Sequence, residues 1–152
     1  MEIKIELQNL KELRDAFKKA PEIATGEYAH ALERSALKIE RDAKRNAPVN
    51  KQGGGGNLRQ LISSRLETPA RAVIEAKAKY SAYVDQGTRP HIIKVINKKV
   101  LANRRTGQIF GRVVRHPGTR AQPFFTNAVK DNEGFVNNEF STALNTILNS
   151  IH

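Results

Sequence analysis

The side chains best suited to catalysis or metal binding are four histidines and two adjacent serines. They are His30, His91, His116, His152, Ser63 and Ser64. No histidine stands at metal-ligand spacing from another histidine or from a carboxylate, and the serines lie outside the Gly-x-Ser-x-Gly pattern of a nucleophile elbow. Cysteine is absent, which excludes disulfides, thiolate zinc sites and cysteine nucleophiles. These local patterns do not predict an enzyme, and no cofactor or metal is expected.

A run of four glycines, Gly53–Gly56, is the next candidate for chemistry, because glycine-rich loops can hold phosphate groups. Here the usual Gly-Lys-Ser/Thr ending is missing and no predicted strand precedes the loop. Glycine also loses more backbone entropy on ordering than any other residue. We therefore interpret residues 48–57 as a mobile loop and not as a phosphate site.

The charge of the chain is concentrated in one segment. Lys plus Arg is 26 and Asp plus Glu is 15, for a net charge of +11, and residues 86–130 contain ten basic side chains and no acid. The ten are Arg89, Lys94, Lys98, Lys99, Arg104, Arg105, Arg112, Arg115, Arg120 and Lys130. Such a segment repels itself unless an anionic surface lies nearby. The candidate partners are nucleic acid, an acidic protein surface and another copy of this chain, and a solvated basic loop is the remaining interpretation.

The C-terminal segment has the opposite charge. Residues 131–152 contain no Lys or Arg and three acids, Asp131, Glu133 and Glu139. This polarity fits pairing of the two segments within one chain, and it also fits head-to-tail contact between copies, in which a basic patch meets an acidic patch on the next subunit. We expect the basic side of that interface to include eight side chains. They are Arg89, Lys98, Lys99, Arg104, Arg105, Arg112, Arg115 and Arg120.

Nucleic-acid binding is the alternative function, since positive charge alone gives salt-dependent and sequence-independent affinity. The only aromatic side chains in the basic segment are Phe110, Phe124 and Phe125. They do not predict a platform for base stacking, and no recognition-helix or zinc-finger signature is present. A basic nucleic-acid-binding domain therefore stays open as the second interpretation.

The elements that must position these residues follow from hydrophobic spacing. A helix is predicted from about Glu22 to Asn46, because apolar side chains recur at steps of three and four until Pro48 stops it. That stripe is Tyr28, Leu32, Ala36, Ile39 and Ala43. Alternation over residues 70–78 predicts a strand with small inward side chains at Ala70, Ala72, Ile74, Ala76 and Ala78. Residues 99–114 predict a basic β-hairpin.

Other segments give weaker signals. Residues 1–6 predict a strand or extended arm, and residues 8–19 predict a helix with Leu10 and Leu13 on one face. Asn57 is expected to cap a short helix that includes Leu58, Leu61 and Ile62. Pro123 should open a last helical region, with Gly134 as its break and an apolar stripe that includes Phe140, Ile147 and Leu148. The length of 152 residues suits one domain, and no apolar run predicts a membrane span or signal peptide.

Several of these pieces, taken in order, resemble a known family. They are Ala43-Lys44-Arg45-Asn46-Ala47-Pro48-Val49, Gly56-Asn57-Leu58-Arg59, Ile62-Ser63, Tyr80-Ser81-Ala82-Tyr83-Val84-Asp85-Gln86-Gly87-Thr88, Asn97-Lys98-Lys99-Val100-Leu101 and His116-Pro117-Gly118-Thr119-Arg120-Ala121-Gln122-Pro123-Phe124-Phe125. In this order and spacing they resemble the tail-completion, or head–tail joining, proteins of long-tailed double-stranded DNA bacteriophages. The glycine run is longer than the family's usual turn, and Asp85 stands where a glutamate is common.

The resemblance implies an α+β fold in which a long helix packs on a curved antiparallel β-sheet, with a second helix at the C-terminus. It implies a structural role at the neck of the virion, without catalysis, in a ring of identical subunits. The implied partners are head connector or portal-side proteins and tail terminator or tail-tube proteins, with DNA passing through the neck as a further candidate. The implied location is the virion neck or tail, after assembly in the host cytoplasm, and no membrane partner is expected.

Overall fold

The computed structural model describes residues 1–6, 14, 18, 21–49, 57–96, 99–103 and 106–151. They fall into two units, the first made of Met1–Ser81 with Pro123–His152 and the second of Ala82–Gln122. Apart from residues 14 and 18, the helix predicted over 8–19 lies outside the described residues. So do residues 50–56 of the predicted loop, and Lys98, Arg104 and Arg105 of the basic set.

The first unit is organised around one long helix, α1 (Pro21–Asn46). Pro21 suits the first helical position because it has no backbone N–H to leave unsatisfied. All five residues of the predicted stripe, from Tyr28 to Ala43, are buried. The long helix predicted from about Glu22 to Asn46 is therefore confirmed.

A three-stranded antiparallel sheet packs against α1. Its strands are β1 (Glu2–Glu6), β2 (Ile62–Thr68) and β3 (Arg71–Ala76), in the order β1-β3-β2. Ala72, Ile74 and Ala76 are buried on β3, as the alternation predicts, and their small size lets a helix lie close. Val73, on the opposite face, is also fully buried, between its register neighbours Lys4 and Arg65.

The stretch between α1 and the sheet differs from the sequence prediction. The short helix α2 (Asn57–Gln60) ends before Leu61, and Ile62 begins strand β2 instead of continuing the helix. The strand forms because its backbone pairs with β3 from Ile62 opposite Ala76 onward. The Glu40 carboxylate on α1 also accepts the backbone N–H of Ser64 at 2.7 Å and so ties this strand to the helix.

After β3 the chain forms a short helix, α3 (Ser81–Gln86). In the second unit, β4 (His91–Lys94) pairs antiparallel with β7 (Val113–His116). Between them, β5 (Leu101–Ala102) and β6 (Ile109–Gly111) pair as a hairpin. Among the described residues of this unit, only Asp85 is buried, so the unit has almost no hydrophobic core of its own.

The C-terminal region is two helices, α4 (Phe124–Asp131) and α5 (Glu133–Ile151). The break lies at Asn132, not at Gly134 as the sequence suggested. Asn132 adopts φ −105° and ψ 3°, and its buried side-chain amide donates to the carbonyl of Ala128 at 2.7 Å. The side chain that interrupts the helix is therefore a buried polar one, and the glycine two residues later stays helical.

Helix α5 packs on α1 through a small apolar cluster of Ala24, Tyr28 and Ile147, with Phe140 and Leu144 against it. The rings of Tyr28 and Phe140 stack with centroids 6.0 Å apart. Leu148, predicted to belong to the apolar stripe, is instead exposed, and Ala143 is buried without having been predicted. Within the described part of the chain, no helix is long and apolar enough to cross a membrane.

Candidate interaction site

The second unit carries the candidate site, which we call the arm and define as residues 91–116, from β4 to β7. Thr88 and Thr119, just outside the two ends of the arm, face each other as an antiparallel bridge. Each donates its backbone N–H to the carbonyl of the other, at 3.0 and 3.1 Å. Their hydroxyl oxygens lie 3.0 Å apart. The bridge therefore clamps the arm at its base.

Two glycines make this close approach possible. Gly87 and Gly118 have φ of +75° and +88°, in the left-handed region that side chains rarely adopt. A Cβ on Gly87 would meet the carbonyl oxygen of Thr119 at 2.6 Å, and one on Gly118 would clash with the carbonyl oxygen of Thr88. The Gly87-Thr88 and Gly118-Thr119 pieces of the sequence motif thus act together, because each glycine leaves room for the other strand's backbone.

One face of the β4–β7 ribbon combines apolar and basic side chains. The register sets Ile92 opposite Arg115 and Lys94 opposite Val113, and all four side chains are exposed. Ile92 is 57% exposed and Val113 is 56% exposed. We call these four residues the arm face. Two exposed β-branched residues beside two cations are typical of a surface that docks on an apolar patch rimmed by acids.

More apolar side chains are exposed further along the arm. They are Ile96, Val100, Ile109 and Phe110. The expected basic interface is exposed as well, at each of its described members. They are Arg89, Lys99, Arg112, Arg115 and Arg120. Exposed apolar groups at this density, in a unit whose described residues include one buried side chain, are typical of a surface that packs against another molecule.

The fold also brings together two histidines that the local sequence pattern did not pair. His91 and His116 lie opposite each other in the β4–β7 register, and their rings stack with centroids 4.9 Å apart. His116 Nδ1 accepts the backbone N–H of Gly118 at 3.1 Å. In the described part of the chain, no group of three histidines, aspartates or glutamates is placed to hold a metal ion.

The remaining motif residues divide between structural and exposed positions. Leu58, Asp85 and Phe124 are buried, which fits a packing role. Arg59 donates to the carbonyl of Ala47 at 3.4 Å and thereby holds α2 against the end of α1. Among the other described motif residues, Pro48 is half-buried. Tyr80 and Tyr83 are 43% and 64% exposed. The remaining three are also exposed: Asn57, Pro117 and Pro123. Gly56 lies outside the described residues.

The three acids of the C-terminal segment have different surroundings. Asp131 and Glu133 are exposed at the junction of α4 and α5. Glu139 accepts a hydrogen bond from Nε of Arg34 on α1 at 2.5 Å, so its charge is already partly neutralised within the chain. Asp131 and Glu133 are therefore better placed than Glu139 to meet a cation on another molecule.

A groove of about 380 Å³ in the first unit adjoins these acids. It is lined by Ile3, Lys4, Ile5, Ile39, Val129, Glu133, Val136 and Asn137. Its walls are thus the β1 strand, α1 and the α4–α5 junction. Five of the eight lining residues are isoleucine or valine. We call this feature the β1–α5 groove; it combines apolar walls with one acid, Glu133, and one lysine, Lys4.

A buried polar network stabilises the α4–α5 junction. Asp42 on α1 is 4% exposed, and its carboxylate lies 2.5 Å from Nζ of Lys38 and 3.0 Å from the side-chain nitrogen of Asn132. Burial alone would raise the pKa of Asp42, but hydrogen bonds from Lys38 and Asn132, with the charges of Lys38 and Arg45, lower it from 3.8 to about 2. The group is a structural anion that fixes the junction.

Comparison with known families gives one match. The family model described as "Bacteriophage HK97-gp10, putative tail-component" matches residues 11–87. Searches of curated proteins and of solved structures gave no match. The matched region holds α1, the two strands β2 and β3, and the Tyr80–Gly87 motif, which is the part of the chain where the sequence patterns were clearest.

Proposed function

The chain belongs to the HK97-gp10-like family, and we propose that it acts as a structural joint between the head connector and the tail of a bacteriophage particle. Membership of a family of tail components implies a place in the virion. Our finer proposal is that the protein completes the tail at the neck, assembles as a ring of identical subunits and acts without catalysis. It rests on the surfaces described above.

The observation that carries the proposal is the composition of the arm. Its apolar side chains are exposed beside cations, and the described part of its unit has only Asp85 buried. A segment that buries little by itself gains most of its packing when it docks, which makes assembly conditional on the correct partner surface. This suits a joint that must close only when head and tail are both complete.

A ring follows from the distribution of charge. The arm and its flanks are basic, whereas Asp131 and Glu133 form an exposed acidic point on a different unit of the chain. A contact between two different surfaces of identical subunits is heterologous, and such contacts close into rings when the rotation permits. The faces of the ring would then meet portal-side proteins on one side and tail terminator or tail-tube proteins on the other.

The proposal assigns no reaction to the protein. Ser63 and Ser64 lie on β2, where Glu40 binds the backbone and hydroxyl of Ser64, and this arrangement ties a strand to a helix. His91 and His116 stack on the arm, and neither belongs to a group of three potential metal ligands within the residues that the structure describes. The titratable groups therefore support packing and docking.

The decisive experiment is electron microscopy of particles made without this protein. We expect filled heads and finished tails that fail to join, and restoration of joined particles when the gene is supplied in trans. Joined, infectious particles in its absence would overturn the proposal. Free heads that also fail to package DNA would overturn it too, since they would place the protein at an earlier step.

DNA in the neck remains a candidate partner for the exposed cations Arg112, Arg115 and Arg120. Contact with phosphates predicts an affinity that falls steeply as salt rises. A gel-shift titration of the protein with double-stranded DNA at several salt concentrations tests this. A shift that weakens steeply as salt rises, together with joining that proceeds normally without the protein, would favour the nucleic-acid function over the joint. A salt-insensitive or absent shift would discard it.

A further inference from the structure

The β1–α5 groove and the arm face have complementary chemistry. The groove offers Ile3, Ile5 and Val136 as apolar lining. Its charged lining residues are Glu133 and Lys4, and Lys4 is already paired with Glu2 at 3.1 Å. The exposed Asp131 lies two residues before Glu133 in the chain. The arm face offers Ile92 and Val113 with Lys94 and Arg115. The arm face thus offers apolar groups to the apolar lining of the groove and cations to Glu133.

The sheet edge beside the groove adds a second reason. Within the described residues, β1 pairs only with β3, so its other edge has unpaired backbone groups. Unpaired strand edges are common places for a strand of another chain to add. A two-stranded ribbon such as β4–β7 is a suitable partner, because its own outer edges are also free among the described residues.

We propose that the β1–α5 groove is the receptor for the arm face of a second copy of this chain. The inference rests on the proposed function and deepens it, since it names the surface through which neighbouring subunits join. Ile92 and Val113 enter the apolar part of the groove, and Lys94 and Arg115 meet Glu133 and Asp131. Because each copy has one arm and one groove, the contact repeats from subunit to subunit.

Disulfide trapping tests the contact directly, because the chain has no cysteine of its own. Particles are assembled in cells that express two single-cysteine variants together, Val113→Cys and Asn137→Cys. Both positions are exposed in the free chain, so neither change should disturb folding. After mild oxidation of purified particles, we expect a product of twice the monomer mass that contains one chain of each kind.

The matched control replaces Asn137→Cys with Lys77→Cys, an exposed position on the other face of the sheet. We expect at least about tenfold less cross-linked product from this pair, since random collisions alone would form it. Equal yields from the two pairs would overturn the inference. An internal disulfide in a chain that carries both cysteines, with no doubled-mass product from the two single-cysteine chains, would overturn it as well, because it would show that the arm occupies the groove of its own copy.

Charge reversal gives an independent test that does not need cysteines. Arg115→Glu or Glu133→Lys alone is expected to lower the yield of joined particles about tenfold, the effect of losing one close charge pair across an interface. The double variant should recover most of the yield, because the pair is restored with its signs exchanged. Glu33→Lys, an exposed reversal on α1, is the control and should change nothing. Equal loss in single and double variants would contradict the pairing.

These outcomes separate the inference from the proposed function. If the protein is absent from purified particles, the proposed function as a joint is wrong, and no cross-linked product can form in them. If the protein is present and required for joining, but Val113→Cys and Asn137→Cys do not cross-link, the joint stands and the groove is not its receptor.

Discussion

Asn132 donates its side-chain amide to the carboxylate of Asp42 across 3.0 Å, although 90 residues separate them in the chain. Both side chains are buried. The contact fixes the point where α4 ends and α5 begins, and so it positions Glu133, which lines the β1–α5 groove. A single buried hydrogen bond thus connects the long helix to the acidic surface on which the proposed assembly depends.

The first prediction concerns stability at low pH. The pKa of Asp42 is lowered in the folded chain to about 2 from 3.8, so its contribution to stability is complete above about pH 4 and is lost as the pH falls through about 2. The lowering corresponds to at most about 2 kcal/mol, and salt reduces it because Lys38 and Arg45 are partly exposed. Asp42→Asn should therefore lower the free energy of unfolding at pH 7 and have little effect near pH 2.

Urea unfolding of the wild type and Asp42→Asn between pH 2 and pH 7 measures this difference. Glu33→Gln, an exposed carboxylate on the same helix, is the control and should stay within about 0.5 kcal/mol of the wild type throughout. A constant difference between wild type and Asp42→Asn at every pH would show that the carboxylate charge is not what stabilises the junction.

The second prediction concerns the clamp at the base of the arm. Gly118→Ala adds a Cβ that clashes with the carbonyl oxygen of Thr88, whereas Gly111→Ala, at φ +89°, meets nothing within 4 Å. Both variants carry the strain of a left-handed backbone, about 1 kcal/mol, but only Gly118→Ala must also break the Thr88–Thr119 bridge. Hydrogen exchange at the amides of Thr88 and Thr119 should accelerate strongly in Gly118→Ala and little in Gly111→Ala. Equal exchange in both variants would mean that the close approach is not needed.

The elements predicted correctly from the sequence are those whose hydrophobic pattern lies within one continuous segment. The spacing of Tyr28, Leu32 and Ile39 predicted α1, and the alternation around Ile74 predicted β3, because each stripe is buried by one continuous face. Strand β2 was missed because Ile62 and Leu66 are its only apolar residues, which is too few to give an alternating pattern. The strand lies at the edge of the sheet, where few apolar side chains are needed to form it.

Features that depend on distant residues were not predictable in this way. The helix breaks at Asn132 and not at Gly134 because its amide bonds to Asp42 on another helix. His91 and His116 become neighbours only because β4 pairs with β7 across the intervening hairpin. The charge pattern did indicate a basic segment and an acidic one, but the pairing of Glu139 with Arg34 follows from the packing of α5 on α1.

The third prediction compares neighbouring residues of α5. Ile147 is fully buried against Ala24 and Tyr28, whereas Leu148 is 41% exposed. Ile147→Ala should cost about 2–5 kcal/mol, because it leaves a cavity between α5 and α1. Leu148→Ala should cost less than about 1 kcal/mol. Chemical denaturation of both variants measures the two costs, and similar values would contradict the assignment of Ile147 to the core.

The last prediction separates docking from folding in the arm. Ile92→Ser with Val113→Ser removes both apolar groups of the arm face, and each is more than half exposed, at 57% and 56%. Thermal unfolding of the free protein should therefore change little, while the yield of joined particles should fall sharply, because the apolar area that docking would bury is gone. Leu37→Ser is the matched control, since Leu37 is 54% exposed and belongs to α1, not to the arm. If Leu37→Ser abolished joining and the arm variant did not, the docking surface would lie on the long helix. If all three substitutions left joining intact, exposed apolar groups would have no part in assembly, and the charge complementarity alone would have to account for it.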